Sequence, residues 1–185
     1  MYEVEVKVPA DLEAVRSRLE AHDGTRERAI VQEDTYYDAP HRSFVETDEA
    51  LRIRRESNPE AGSDETRITY KGPLLDEESK SREEHETAVG DGETMDTVLR
   101  NLGFEPAATV RKERERFALE NDEYSYTVTL DSVDDVGEYV EVETEVETEA
   151  DLESARDGAY GVLERLDLDP DEQLRTSYLG LLLES

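Results

Sequence analysis

No cysteine occurs among the 185 residues, which excludes a disulfide framework and thiolate chemistry. Histidine is almost as scarce, and His22, His41 and His85 show no metal-ligand spacing. No apolar run approaches the roughly 20 residues of a membrane-spanning helix. The opening Tyr2-Glu3-Val4-Glu5 is neither basic nor the apolar core of a secretory signal. A cytoplasmic location and no membrane partner are therefore expected. Gly-x-x-x-x-Gly-Lys-Ser/Thr and Gly-x-Gly-x-x-Gly are both missing, which removes the P-loop and the usual dinucleotide fingerprint. Positive charge is in short supply: 21 Lys and Arg stand against 50 Asp and Glu, a net charge of −29. A nucleic acid polymer is thus not an expected partner, because such binding needs clustered bases to neutralise phosphates. Even acidity with little lysine is the composition of a protein from a high-salt, halophilic cytoplasm, where a Debye length of about 3 Å at 1 M screens self-repulsion.

What is present is organised at short range. The length suits one domain over 1–185, and no low-complexity linker divides it. Strict alternation over residues 2–8 predicts a half-buried strand, with Tyr2, Val4, Val6 and Val8 on one face and Glu3, Glu5 and Lys7 on the other. Pro9 ends it, and Asp11 opens a helix with Leu12, Val15 and Leu19 on one stripe. Further strands are predicted over about 32–38, 50–55, 67–71, 82–89, 109–119, 124–131 and 139–146. Helices are predicted from about Glu93 or Thr94 to Leu102, over 151–166 and over 174–183, with Gly103 as a left-handed stop after the first of these. Residues 74–81 read as a polar loop of low order, and the polarity and position of the loop over 72–81 suit a mobile lid. Most strands are joined by turns too short for a parallel crossover, so the sheet is mainly antiparallel and the fold class α+β.

The lysines carry the functional signal. The chain has four, and three of them, Lys7, Lys71 and Lys112, fall at period-two positions on strands; Lys80 lies in the loop. Arg52, Arg54, Arg114 and Arg116 follow the same alternation. A solvated sheet face needs no such row of cations, whereas a closed or nearly closed barrel turns alternate residues of every strand to one interior. Carboxylates at i and i+2 suit a hard divalent metal, and Lys and Arg suit phosphate oxygens. Together they form a parts list for phosphoryl or nucleotidyl transfer, in a locally positive tunnel within a negative protein.

Glu3-Val-Glu5-Val-Lys7 is followed in order by Asp34-Thr-Tyr-Tyr-Asp38, Leu51-Arg-Ile-Arg54, Tyr70-Lys-Gly-Pro73, Ser81-Arg-Glu-Glu-His-Glu86, Arg111-Lys-Glu-Arg114, Leu130-Asp131 and Gly137-Glu-Tyr-Val-Glu-Val-Glu143. This series resembles the CYTH superfamily, the triphosphate tunnel metalloenzymes, over nearly the whole chain. The resemblance implies an eight-stranded antiparallel tunnel with helices packed outside, a triphosphate bound within, and Mg²⁺ or Mn²⁺. It implies Glu3, Glu5, Glu141 and Glu143 as metal ligands with Asp131 assisting. Lys7, Arg52, Arg54, Lys71, Lys112 and Arg114 would grip phosphate, with Arg175 closing over the tunnel. Lys7, Glu84, Glu86 and Arg114 are the candidates for catalysis.

For Arg111 and Arg116, surface pairing is an equal alternative, and Glu145 and Glu147 read as solvated. Of Tyr36 and Tyr37, which would suit a base, one is expected in the core. His85, opposite Glu84 and Glu86, is not expected as a base.

Three activities remain open on this reading. A class IV adenylate cyclase-like reaction, ATP to cyclic AMP and pyrophosphate, comes first. Hydrolysis of thiamine triphosphate or inorganic triphosphate is second, and a non-catalytic nucleotide- or polyphosphate-binding module third. A homodimer is left open.

Overall fold

Alternation sets the architecture. The computed structural model describes residues 1–121 and 123–184; Ser185, the end of the expected domain span, lies outside them. Among the described residues are eight strands: β1 (Tyr2–Pro9), β2 (Thr25–Asp38), β3 (Ala50–Asn58), β4 (Ser63–Leu74), β5 (Arg82–Ala88), β6 (Glu105–Glu120), β7 (Ser125–Val133) and β8 (Gly137–Val146). They close into an antiparallel barrel in the order β1-β5-β4-β3-β2-β6-β7-β8. Five α-helices accompany it: α1 (Leu12–Ala21), α2 (Phe44–Thr47), α3 (Gly92–Asn101), α4 (Leu152–Arg165) and α5 (Tyr178–Glu184).

The hydrophobic core lies outside the barrel wall. Val6 and Val8 of β1, Phe117 and Leu119 of β6, Val128 and Leu130 of β7 and Val140 and Val142 of β8 pack beneath Leu12, Val15 and Leu19 of α1 and Val162 and Leu163 of α4. Burial of each such Val or Leu contributes roughly 1.5–3 kcal/mol. Tyr37, Ile53 and Leu99 make a smaller cluster under α3. The alternate residues of the same strands, most of them polar or charged, therefore have nowhere to point but inward.

Two glycines serve this packing. A Cβ on Gly158 of α4 would lie 1.9 Å from the Tyr126 hydroxyl, which donates to the Ala155 carbonyl at 2.9 Å. Gly103, at φ +92°, turns the chain out of α3 as expected. Asp11 caps α1, accepting from the Glu13 and Ala14 amides.

Four features depart from the pattern-based reading. β2 begins at Thr25, seven residues early, because Thr25 to Arg28 are polar on both faces and show no apolar alternation. The short α2 left no periodic trace. Residues 174–177 precede α5 instead of opening it: the Leu174 amide donates to the Lys7 carbonyl at 2.7 Å, and the Thr176 carbonyl accepts from Lys7 Nζ at 2.5 Å.

The fourth is the loop at 74–81, which is part of the barrel wall. β1 pairs with β5 only at Tyr2–Glu83 and Glu3–Arg82. Beyond that the Lys80 amide donates to the Glu5 carbonyl at 3.2 Å, and Leu174 continues to Lys7. Arg175 donates to the Asp76 and Ser79 carbonyls, and Tyr160 and Gln173 both donate to the Glu78 carbonyl. The backbone groups that β1 would leave open at this seam are thereby satisfied.

Candidate functional site

The inward residues line one cavity of about 880 Å³. Arg52, Arg54, Lys71, Lys112, Arg114, Glu3, Glu5, Glu141, Glu143 and Glu84 line it, and Asp131 stands behind Arg114 in an ion pair. Lys7 is fully buried behind this wall, its Nζ donating to the Thr176 carbonyl. The interior is mixed in charge rather than uniformly positive.

Arg114 is the most tightly held. Its Nε and Nη2 donate to Asp131 at 2.6 and 2.5 Å, and Nη2 also to Glu141 at 2.6 Å, all buried. Burial opposes the charged form, but Asp131 and Glu141 beside it raise the guanidinium well above its ordinary value. Asp131 thus stands as a counter-ion to Arg114, and Glu141 shares that duty.

Arg54 is held likewise by Asp34 at 2.7 and 2.8 Å. Asp34 is 1% exposed, and despite burial Arg54 and Arg52 lower its pKa strongly. Lys71 Nζ lies 2.7 Å from Glu3 and 2.8 Å from Glu84.

Among the lining cations, Lys112 and Arg52 are less satisfied. Lys112 is 4% exposed and has no ion-pair partner among the described residues. Burial, then the charge of Arg114, push it down to about 8. Arg52 lies 3.7 Å from Asp34, and its buried Nε has no hydrogen-bond partner. Buried donors left unmet at a cavity wall suit an anionic ligand.

Glu3, Glu5 and Glu143 each bring a carboxylate oxygen within 4.8 Å of the others. Burial would raise Glu3, yet Lys71 and a hydrogen bond from Glu84 hold it down at about 2. Burial would also raise Glu5, but Lys80, Lys71 and Lys7 keep it well below the usual carboxylate range. Burial pushes Glu143 up to about 7, opposed by Arg114 and assisted by Glu3 and Glu141. Three convergent oxygens, one reluctant to ionise beside its neighbours, fit a hard divalent cation. Glu84 is pushed up to about 8 by burial and by Glu3. Glu86, the other member of the expected pair, sits exposed at the rim, accepting from Thr69 and Arg67.

Arg175 lines the cavity, but its donors go to the loop carbonyls. Tyr36 lines the cavity while Tyr37 is buried under α3, donating to Asp96 at 2.5 Å. Arg116 faces inward, 3.3 Å from Glu143, whereas Arg111 pairs outside with Asp134. His85 lies outside, stacked on Tyr70.

Sequence reasoning missed three residues. Lys80 is buried with Nζ 3.0 Å from Glu5; its signal was the rarity of lysine in this chain. Asp34 stood in a quoted motif, in phase with Tyr36. Tyr178 reaches the site from α5, donating to Asp131 at 2.8 Å, and no strand pattern could announce it.

The cavity changes character toward α5. There the inward residues Val110 and Val133 are apolar and meet Tyr178, with Tyr36, Tyr139 and Leu179 around them. Phe44, Val45 and Leu183 join the lining, and Val45 and Leu183 are 82% and 64% exposed at the rim. The lining also includes Arg28, Glu56 and Arg116, at the other ends of β2, β3 and β6.

Comparison with known proteins matches residues 1–178 to the CYTH domain. The MJ0240 protein of Methanocaldococcus jannaschii, provisionally named an adenylate cyclase, is 35% identical over 182 residues, with 98% of each chain covered. The PH1819 protein of Pyrococcus horikoshii OT3 superposes with a TM-score of 0.90 at 36% identity, again covering 98% of both chains. HpAC1 of Hippeastrum, for which a dominant triphosphatase activity is described, shares the fold at a TM-score of 0.64 and 14% identity, covering 99% of this chain and 95% of its own.

Proposed function

The chain belongs to the CYTH domain family, and on that premise we propose that it binds ATP in its tunnel with Mg²⁺ or Mn²⁺ and converts it to cyclic AMP and pyrophosphate. The observation that carries this reading is the change of lining along one cavity. Cations and carboxylates occupy its middle, and Tyr36, Phe44, Val45, Leu179 and Leu183 occupy the end toward α5. The charged part suits a triphosphate; the apolar end suits the base of a nucleotide. The adenylate cyclase name of the Methanocaldococcus jannaschii relative points the same way.

Lys7, Lys71, Lys80, Lys112 and Arg52 would hold phosphate oxygens. Arg54 and Arg114, locked by Asp34 and Asp131, would present fixed guanidinium edges that need no reorganisation as charge develops. Glu3, Glu5 and Glu143 would hold the metal, which supplies neutralisation of phosphate charge. The ribose 3′-oxygen attacks the α-phosphorus, the bond to pyrophosphate breaks, and we assign the hydroxyl proton to Glu84. Burial and the neighbouring Glu3 raise its carboxyl above the ordinary value, which favours taking up a proton.

A triphosphatase is the second reading. The charged lining runs past the carboxylate trio to Arg28, Arg116 and Glu56, which would seat a terminal phosphate within reach of water.

The test is incubation with ATP, thiamine triphosphate or inorganic triphosphate, with either metal at high salt. Cyclic AMP with pyrophosphate supports the first reading and orthophosphate the second; binding without product supports a non-catalytic module. Glu5→Gln should abolish metal-dependent turnover and leave the fold intact, and normal turnover in that variant would sink the metal assignment.

A further inference from the structure

Among the described residues, Tyr178 is the one aromatic ring set against two lysines, Lys112 of the cavity lining and Lys7 buried behind it. Its ring centroid lies 4.2 Å from Lys7 Nζ and 4.9 Å from Lys112 Nζ. Its hydroxyl donates at 2.8 Å to Asp131, the carboxylate already bound by Arg114. It is 6% exposed and wedged against Val110 and Val133, with the Tyr139 ring 5.4 Å away. The hydroxyl and the packing fix where the ring sits; the ring helps to place the Lys112 ammonium and, with the Thr176 carbonyl that accepts from Lys7, the Lys7 ammonium.

The chemistry explains why an aromatic ring stands there. A carboxylate beside Lys112 would hold the ammonium but would also repel an incoming polyphosphate. A purely aliphatic neighbour would leave the buried charge without support. The negative face of an aromatic ring supports a cation while carrying no net charge. It can therefore hold Lys7 and Lys112 charged and placed without competing for the ligand.

We propose that Tyr178 is a positioning residue for the phosphate grip: its π-face holds Lys7 and Lys112 ready for a polyphosphate, and its hydroxyl anchors α5 to the Asp131–Arg114 pair. The proposal rests on the reading of the tunnel as a triphosphate site.

The test is the affinity of the full chain for inorganic triphosphate, measured by calorimetry in EDTA, so that no metal-dependent turnover intervenes. Tyr178→Phe keeps the ring and should bind within about threefold of the unmodified protein. Pentafluorophenylalanine at 178 keeps the shape but withdraws the electrons of the ring face. It should bind roughly 10- to 100-fold more weakly, at a melting temperature close to that of the Phe variant. A merely structural ring would not distinguish these two variants. Equal affinity of the Phe and pentafluoro variants would overturn the proposal, as would a Phe variant as weak as the pentafluoro one. If the unmodified protein itself fails to bind triphosphate, the tunnel reading falls and takes this proposal with it.

Discussion

Replacing Lys112 with methionine should make the protein more stable and less able to bind its ligand. The side chain is 4% exposed, and burial with the charge of Arg114 lowers it from 10.5 to about 8. That gap corresponds to roughly 3 kcal/mol spent in keeping the ammonium charged in the folded state at neutral pH. The Tyr178 ring returns about 1–2 kcal/mol of it. Methionine keeps most of the stem and removes the charge, so Lys112→Met should gain about 1–2 kcal/mol at pH 7. For a chain of this size that raises the melting temperature by roughly 2–4 °C per kcal/mol.

The sign with pH is specific. Between about 8 and 10.5 the unfolded chain binds more protons at this lysine than the folded one, so the unmodified protein gains stability as pH rises. The advantage of the variant should therefore shrink over that interval and vanish near its top. Guanidinium unfolding of both proteins at pH 7 and pH 10 measures the difference directly. Triphosphate affinity should fall roughly 10- to 100-fold, the worth of a hydrogen bond to a charged group. A variant that is less stable at pH 7, with a deficit independent of pH, would refute the account of Lys112 as a charge held for a ligand.

Three further outcomes follow from the same geometry. Asp34→Ala strands Arg54 and Arg52 in the wall and should cost about 3–5 kcal/mol, read as a lower urea midpoint; an unchanged midpoint would mean the pair is not effectively buried. Glu143 must lose a proton to ligate, and burial pushes its pKa up to about 7, so Mn²⁺ affinity should climb from pH 6 to pH 8 with proton release. Calorimetry in buffers of different ionisation heat detects that release, and its absence would remove Glu143 from the ligand set. Lys80→Met should act with opposite signs: it frees Glu5 for a metal and strengthens metal binding, while weakening triphosphate binding roughly tenfold or more. Parallel losses of both would mean a damaged fold rather than a missing cation.

The residues most legible in the sequence are those on strands. Lys7 between Val6 and Val8, or Arg114 in phase with Lys112 and Arg116, declare a charged face by alternation alone; Arg114, Lys112 and Arg116 line the cavity, and Lys7 lies buried behind it. The early half of β2 was invisible for the converse reason. Its first four residues, Thr25 to Arg28, are polar on both faces, so they show no contrast between a buried and a solvated side. The resemblance alone offered Asp131 as assisting a metal; its pairing with Arg114 was not legible, because it depends on the register of β6 against β7, which sets Arg114 opposite Asp131. Lys80 was read as a loop residue, which it is, but that loop completes the wall where β1 and β5 part after two pairs.

Strand identity, the two faces of each strand and the minority of cations set in phase were determined by the sequence itself, because a period of two is a property of neighbouring residues. Which face turned inward was decided by closure of the barrel, since α1, α3 and α4 could cover the apolar faces only from outside. Which carboxylate met which cation, and the arrival of Lys80 and Tyr178 at the site, were likewise tertiary. Those partners lie far apart along the chain, and their meeting depends on the shear of eight strands and the docking of the last helix.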